Sequence, residues 1–137
     1  MKAKVIWQDG LRFLGVARDR AIIIDTKKEL GGFESAPAPM ELLLLSLGAC
    51  TGMDVISILK KMKVGVKGFE IEIIGEQREE HPKYFTSITL VYRFFGTDLP
   101  IDRIRHAVEL SQGKYCPVTA SLEQSVRVDY EIEIAPD

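Results

Sequence analysis

The alternation of hydrophobic and polar positions divides the chain into short strands, one long apolar helix, and a mixed segment of strands and helices. Three apolar runs separated by tight polar turns predict a β-meander near the N-terminus. These runs cover residues 4–7, 11–17 and 21–25. Residues 39–63 carry the longest helical pattern, with Pro39 suited to a first helical turn and lysines at the far end. From Leu42 to Cys50 this helix is apolar almost all round, so we expect it to be central and buried.

The region after the long helix predicts three further strands and two helices. The strand patterns cover residues 69–73, 84–95 and 125–134. The run 84–95 is apolar on both faces, which is typical of a central strand covered on both sides. A second helix is predicted from Asp98 to Gly113. Pro117 suits the first turn of a short helix, which places Cys116 at its N-terminal cap.

The order of these elements predicts a fold of the α+β class. We expect a single domain over residues 1–137, with largely antiparallel β-sheets wrapped around the long buried central helix. One chain of this size has difficulty covering both an all-apolar helix and a strand that is apolar on both faces. A second copy of the chain would cover them, so the sequence predicts a homodimer.

Composition narrows the classes of function. The chain has 137 residues, of which 46% are hydrophobic and 28% charged, values typical of a soluble globular protein. A formal net charge of −2 without a long basic run argues against nucleic acid or an anionic membrane surface as a partner. The N-terminal residues show no signal-peptide pattern, and no run approaches about 18 consecutive apolar residues. We therefore expect a cytoplasmic protein that does not span a membrane.

The two cysteines are the residues with the clearest candidate chemistry. A structural disulfide is disfavoured in a reducing cytosol, and neither thiol has further ligands at the spacing of a zinc site. Cys50 lies on one line of the apolar helix with Ser46 and Asp54. Cys116 at a helix N-terminus would have its thiolate favoured by unpaired N–H groups. Two interpretations remain open, a pair of inert buried cysteines or a redox-active thiol pair.

Two motifs resemble the OsmC/Ohr family, the osmotically inducible and organic-hydroperoxide-resistance proteins. The first runs from Pro39-Met40-Glu41 along the apolar helix to Gly48-Ala49-Cys50, and the second is Cys116-Pro117. The order of the predicted elements agrees with this family over nearly the whole chain. Trp7 and the run from Gly10 to Phe13 resemble the less studied branches of the family.

The resemblance implies an intertwined homodimer whose sites reduce organic hydroperoxides without a metal, flavin or other cofactor. Cys50 matches the peroxidatic cysteine and Cys116 the resolving cysteine, and a dithiol reductant would reopen the disulfide between them. By position, Arg12 matches an arginine of the first hairpin and Glu41 the glutamate that holds it. Met40 occupies the place, ten residues before the cysteine, where the family commonly has that glutamate.

Thiol chemistry supports the same hypothesis independently of the family. A thiolate that attacks a peroxide oxygen becomes a sulfenic acid, which condenses with a second thiol to a disulfide. A buried arginine can lower the pKa of Cys50 by charge-assisted hydrogen bonding. The competing hypothesis is a non-enzymatic dimer that binds a small apolar ligand and keeps both cysteines unreactive. A thiol titration with and without cumene hydroperoxide distinguishes the two.

Overall fold

A computed structural model describes residues 1–136 of the chain. The strands are β1 (Lys4–Asp9), β2 (Arg12–Ala17), β3 (Arg20–Ile24), β4 (Gly68–Gln77), β5 (Phe85–Phe95) and β6 (Arg127–Ala135). The helices are α1 (Pro39–Lys61), α2 (Ile101–Leu110) and α3 (Pro117–Leu122), with a 3-10 turn at Lys28–Leu30 and a π-helical turn at Ser111–Tyr115. The predicted α+β class and the predicted order of elements are confirmed.

The chain divides into two compact units, and the boundary between them falls within α1. The first unit, Met1–Leu43, contains an antiparallel sheet in the order β1-β2-β3, which is the predicted meander. The second unit begins at Leu44 and contains a sheet in the order β4-β5-β6. The single domain expected over residues 1–137 stays a prediction.

The central position of β5 agrees with its two apolar faces. Strand β4 pairs with it antiparallel along its whole length. Strand β6 pairs with it parallel, and this pair is the exception to the largely antiparallel sheets that the sequence predicts. The parallel pairing is possible because α2, the π-helical turn and α3 lie between the two strands and form a connection of the required length.

One face of α1 packs on the second sheet. Gly48 lies against the side chain of Ile73 and Gly52 against that of Ile71, so these glycines let the helix approach β4 closely. The helix was expected to be buried all round, but in a single chain the sheet covers only one side of it. Leu45 and Met53 are 50% and 72% exposed.

Helix α1 is the one helix among residues 1–136 whose length and composition would allow it to cross a membrane. The core helix of a soluble protein has the same character, and the close contacts of α1 with β4 are of that kind. The expectation of a cytoplasmic protein stays a prediction.

Asp25 organises the loop between β3 and α1. Its side chain is buried and accepts hydrogen bonds from the backbone N–H groups of Thr26, Phe33 and Ser35. The Ser35 hydroxyl also donates to Asp25, with Oγ 2.6 Å from Oδ2. Burial alone would raise the pKa of Asp25, but the hydrogen bonds outweigh it and lower the pKa to about 2. One carboxylate therefore pairs several backbone donors of a loop that has little regular structure.

Replacing Asp25 by asparagine should lower the melting temperature at pH 7, since an amide cannot accept all of these bonds. The pKa of Asp25 is about 2 in the folded chain and about 3.9 in an unfolded chain. The carboxylate of Asp25 therefore makes its full contribution to the free energy of unfolding above about pH 4. This contribution is lost as the pH falls towards 2. Melting temperatures of wild type and Asp25→Asn should differ at pH 7 and converge between pH 4 and pH 2.

The matched control for this prediction is Asp19→Asn, in the exposed turn between β2 and β3. It should melt like wild type at every pH. An Asp25→Asn chain that also melts like wild type at pH 7 would contradict the role given to this carboxylate.

Candidate thiol redox site

Cys50 and Cys116 lie in contact in the second unit, although they are far apart in sequence. Both are free thiols. Cys50 is half-buried near the middle of α1, whereas Cys116 is only 3% exposed. The side chain of Cys116 makes a hydrogen-bond contact with Cys50. The fold therefore brings together the two cysteines that the sequence singles out.

The backbone around Cys116 places its thiol at the start of α3. Cys116 is the extended N-cap residue, Pro117 follows in the first turn, and Sγ accepts a hydrogen bond from the N–H of Thr119 at 3.4 Å. The predicted cap is thus confirmed. On its other side, the N–H of Cys116 donates to the carbonyl of Ser111 at 2.8 Å, across the π-helical turn. Turns of this type are rare and occur often at functional sites.

The surroundings of Cys50 raise the pKa of its thiol. Burial is the largest cause, and the neighbouring Cys116 and the charge of Asp54 act in the same direction. The backbone N–H of Val118 hydrogen-bonds to the Cys50 sulfur and opposes the rise. The thiol is therefore mostly protonated near pH 7, and fast nucleophilic attack requires a cation that favours the thiolate.

A buried network of hydrogen bonds lies beside the two thiols and joins α1, β5 and the π-helical turn. Thr51 Oγ1 is 2.6 Å from the hydroxyl of Tyr92 and 2.7 Å from Ser111 Oγ. Ser111 in turn donates to Asp54, with Oγ 2.9 Å from Oδ2. The polar line predicted on α1 is therefore used in part, because Asp54 joins this network while Ser46 is exposed.

The side chain of Gln112 connects this network to α3. Its amide nitrogen donates to Thr51 Oγ1 and to the hydroxyl of Tyr92, each at 3.0 Å. Its amide oxygen accepts from Thr119 Oγ1 at 3.2 Å. The backbone N–H of the same threonine donates to the Cys116 sulfur, so the network reaches the second thiol.

Sequence reasoning found both cysteines and Asp54 but missed the other members of this network. The missed members are Thr51, Tyr92, Ser111, Gln112 and Thr119. One signal was available, because a polar residue on an otherwise apolar helix or strand needs a buried partner. That signal indicates that partners exist, but the partners of α1 come from two other elements, β5 and the π-helical turn, which only the folded chain identifies.

Arg12 and Glu41, both in the first unit, make contacts with residues other than each other. Arg12 Nε donates to Gln8 Oε1 at 3.2 Å, and its guanidinium lies over the ring of Phe33, 4.9 Å from the centroid. Glu41 Oε1 accepts from the N–H of Ala38 at 2.9 Å, as the third residue of a helix does in a capping box. The assignment of Arg12 and Glu41 to the thiol site stays a prediction.

The fold and the site define an α+β protein with one cysteine on a core helix and a second at the cap of a short helix. Comparison with known proteins gives the family to which this arrangement belongs. Residues 32–131 match the family described as OsmC-like protein. The chain therefore belongs to the OsmC-like family, as its two motifs indicate.

Similar proteins extend over almost the whole chain. The chain is 38% identical to Protein YhfA of Escherichia coli (strain K12) over 135 residues, which are 98% of each protein. A hypothetical protein from Aquifex aeolicus VF5 is 32% identical, with a TM-score of 0.86 over 99% of this chain and 96% of that one. An organic hydroperoxide resistance protein from Elizabethkingia anophelis shares the fold, at 15% identity and a TM-score of 0.71 over 97% and 94% of the two chains. Family membership suggests a peroxidase or stress role in general.

Replacing Asp54 by asparagine should lower the pKa of Cys50 and speed its alkylation several-fold near pH 7. The variant removes a negative charge that raises this pKa, yet it keeps an oxygen that can accept from Ser111. The measurement is the pH profile of iodoacetamide labelling at Cys50, read by mass spectrometry. Asp102→Asn on the exposed side of α2 is the control. A profile unchanged by Asp54→Asn in a folded protein would rule out this effect of the carboxylate.

Proposed function

We propose that the chain is a thiol-dependent peroxidase that reduces organic hydroperoxides, with Cys50 as peroxidatic and Cys116 as resolving cysteine. The observation that carries this proposal is the contact between two free thiols from distant parts of the chain. Membership of the OsmC-like family and the fold shared with an organic hydroperoxide resistance protein support the reaction and the substrate class. A cytoplasmic location fits, because a reducing compartment keeps both thiols free between turnovers.

The proposed reaction balances with a dithiol as the reductant. The Cys50 thiolate attacks a peroxide oxygen, the O–O bond breaks, and the alkoxide takes a proton and leaves as an alcohol. The resulting sulfenic acid is attacked by the sulfur of Cys116, so that an S–S bond forms and water leaves. An external dithiol then supplies two electrons and two protons through thiol exchange and restores both cysteines.

The exposure of the two cysteines supports the proposed order, in which Cys50 reacts first. Cys50 is half-buried, so a peroxide can reach its sulfur, whereas Cys116 is almost completely buried beside it. The buried thiol is suited to the second step, because its partner is already in contact and no substrate has to reach it.

Separate substitutions of the two cysteines test this division of roles. Cys50→Ser should abolish peroxide turnover and leave Cys116 unoxidised by one equivalent of cumene hydroperoxide. Cys116→Ser should react once and stop at a sulfenic acid on Cys50, which dimedone traps and mass spectrometry locates. Dimedone on Cys116 in the first variant, with none on Cys50 in the second, would reverse the assignment.

The raised pKa of Cys50 requires a positive partner, and Arg12 is assigned this role from the resemblance to the family. The guanidinium would come from the same chain or from a second copy, with Glu41 as the residue that holds it. Arginine suits the role because it stays charged and can donate hydrogen bonds to both a thiolate and a peroxide oxygen.

Arg12→Ala should raise the pKa of Cys50 further and slow its alkylation near pH 7 by about tenfold or more, if the cation lowers the pKa by about one unit. The rate of iodoacetamide labelling at Cys50 as a function of pH measures this. Arg18→Ala, in the following turn, is the control and should label like wild type. A wild-type profile for a folded Arg12→Ala protein would reject the assignment of Arg12.

A homodimer is part of the proposal. Large apolar side chains are exposed on α1 and across the first sheet of the isolated chain, more than a monomer usually leaves in water. They include Leu43, Leu45 and Met53 on α1, and Val5, Trp7 and Ile22 on the strands. A second copy that buries these side chains would also cover the second face of α1 that the sequence predicts to be buried.

Sedimentation velocity at micromolar concentration should show a dimer and no folded monomer. Met53→Glu places a charge at the most exposed apolar position of α1 and should shift the distribution towards monomer or unfolded chain. Glu79→Lys, in the polar segment between β4 and β5, is a charge change that should leave the dimer intact. A wild-type protein that is folded and monomeric would contradict this part of the proposal.

A second candidate function is supported by a cleft in the first unit. Its volume is about 620 Å³, within the range of small-molecule sites, and its walls are mostly apolar. Leu11, Phe13, Leu30 and Leu42 are among the residues that line it. In this alternative, the protein binds a small apolar ligand and the thiols are inert. Loss of two titratable thiols per chain on adding cumene hydroperoxide, and their return with a dithiol, would exclude inert thiols.

A further inference from the structure

The direction of each hydrogen bond in the network beside the thiols follows from the number of protons available. Asp54 as a carboxylate only accepts, so the single hydroxyl proton of Ser111 is donated to it. Ser111 Oγ can then only accept in its 2.7 Å contact with Thr51. The hydroxyl proton of Thr51 therefore points to Ser111.

Tyr92 forms the other end of the chain of hydroxyls, where Gln112 contacts both Tyr92 and Thr51. The amide nitrogen of Gln112 donates one proton to Thr51 and the other to Tyr92. The proton of Thr51 is already used, so the 2.6 Å contact between Thr51 and Tyr92 is a bond that Tyr92 donates. All three hydroxyl protons point the same way and end at a carboxylate. We call this series, Tyr92 to Thr51 to Ser111 to Asp54, the hydroxyl relay.

The hydroxyl relay is closed to solvent along most of its length. Tyr92, Thr51 and Ser111 have no exposed surface. Burial is the main reason that the pKa of Tyr92 rises to about 12, so its O–H stays a donor at physiological pH. Hydrogen bonds in series polarise one another, and loss of one buried member leaves its neighbours unpaired. The relay is therefore a rigid connection as long as every member is present.

The relay joins the helix that carries Cys50 to the segment that carries Cys116. Ser111 is bound twice, because its side chain lies in the relay and its carbonyl accepts the N–H of Cys116 at 2.8 Å. On the other side of Cys116, Gln112 holds the side chain of Thr119, whose N–H lies 3.4 Å from the Cys116 sulfur. Cys116 is thus fixed on both sides by groups that are bound to Thr51, the residue next to Cys50.

We propose that the hydroxyl relay is a positioning device that holds the Cys116 thiol against Cys50 and so favours the disulfide between them. Tyr92, Thr51 and Ser111 have no exposed surface and act through the geometry of the two sulfurs, whereas Asp54 also acts on Cys50 through its charge. This inference rests on the proposed function to the extent that it treats the thiols as a working pair. It does not depend on which oxidant the protein meets.

Equilibrium with glutathione measures this effect without peroxide. The S–S bond of glutathione disulfide breaks and a bond forms between Cys50 and Cys116. Two electrons and two protons pass from the cysteines to glutathione, which leaves as two thiols. The equilibrium constant gives the effective concentration of one cysteine towards the other, which is high only when both sulfurs are held in position.

The test makes the same substitution, threonine to valine, at two positions and compares the variants in glutathione buffers at pH 7. Thr51→Val removes the central hydroxyl of the relay and nearly keeps the volume. We expect the effective concentration to fall at least about tenfold, which makes the two-electron midpoint potential about 30 mV more positive. Thr89→Val, at a half-buried position of β5 outside the relay, should leave the potential at the wild-type value.

Unfolding measurements on the reduced and the oxidised protein separate positioning from a general structural role. A structural role lowers the stability of both forms equally and does not move the potential. A positioning role lowers the stability of the oxidised form more than that of the reduced form. If Thr51→Val fails to fold, Tyr92→Phe gives the same comparison, because it removes one hydroxyl of the relay and keeps the ring. An unchanged or more negative potential in the folded relay variant overturns the inference.

The wild-type results separate this inference from the proposed function. A wild type that forms the Cys50–Cys116 disulfide in glutathione but does not turn over hydroperoxide rejects the peroxidase and leaves the relay to be judged on the variants. A wild type that turns over hydroperoxide, while Thr51→Val and Thr89→Val have the same potential, rejects the relay alone. A wild type that forms no Cys50–Cys116 disulfide in glutathione also rejects the relay.

Discussion

The complete pairing of one buried hydroxyl, that of Thr51, is the constraint on which the thiol site depends. This hydroxyl has no exposed surface, and its one proton and both acceptor positions are used by groups from β5 and the π-helical turn. Because an unpaired buried polar group is costly, these elements can take only a narrow range of positions relative to α1. Cys50 and Cys116 are carried by α1 and by the residue that follows the π-helical turn, and in the proposed relay their contact depends on this arrangement.

The electrostatics of the site favour the protonated form of the Cys50 thiol. Burial, the second cysteine and Asp54 all raise the pKa of Cys50, and a single backbone N–H from Val118 opposes them. In the proposed mechanism, such a site needs a cation near the sulfur to favour the thiolate. An arginine from the first hairpin enters the proposed mechanism for this reason. The second unit brings the two sulfurs into contact, and the activation of one of them is a separate step of the proposed mechanism.

Much of the fold could be predicted from the sequence, because hydrophobic periodicity and terminal signals act locally. Pro39 and Pro117 mark the starts of α1 and α3, and the apolar faces of β5 mark it as central. The parallel pairing of β6 could not be predicted in this way, because strand direction depends on the path of the intervening chain. The hydroxyl relay could not be predicted either. Its members are ordinary polar residues. They can be recognised as a network only when the fold brings their side chains from distant elements within hydrogen-bonding distance.

The central claim is that Cys50 and Cys116 form a reversible disulfide within one chain during the reduction of an organic hydroperoxide. The most direct measurement is peptide mapping without reduction after one equivalent of cumene hydroperoxide, with the alcohol product measured in the same sample. We predict one cross-linked peptide pair containing both cysteines, about one alcohol per chain, and full recovery of both thiols with a dithiol. Unmodified cysteines with no alcohol formed, or a cross-link only between chains, would contradict it.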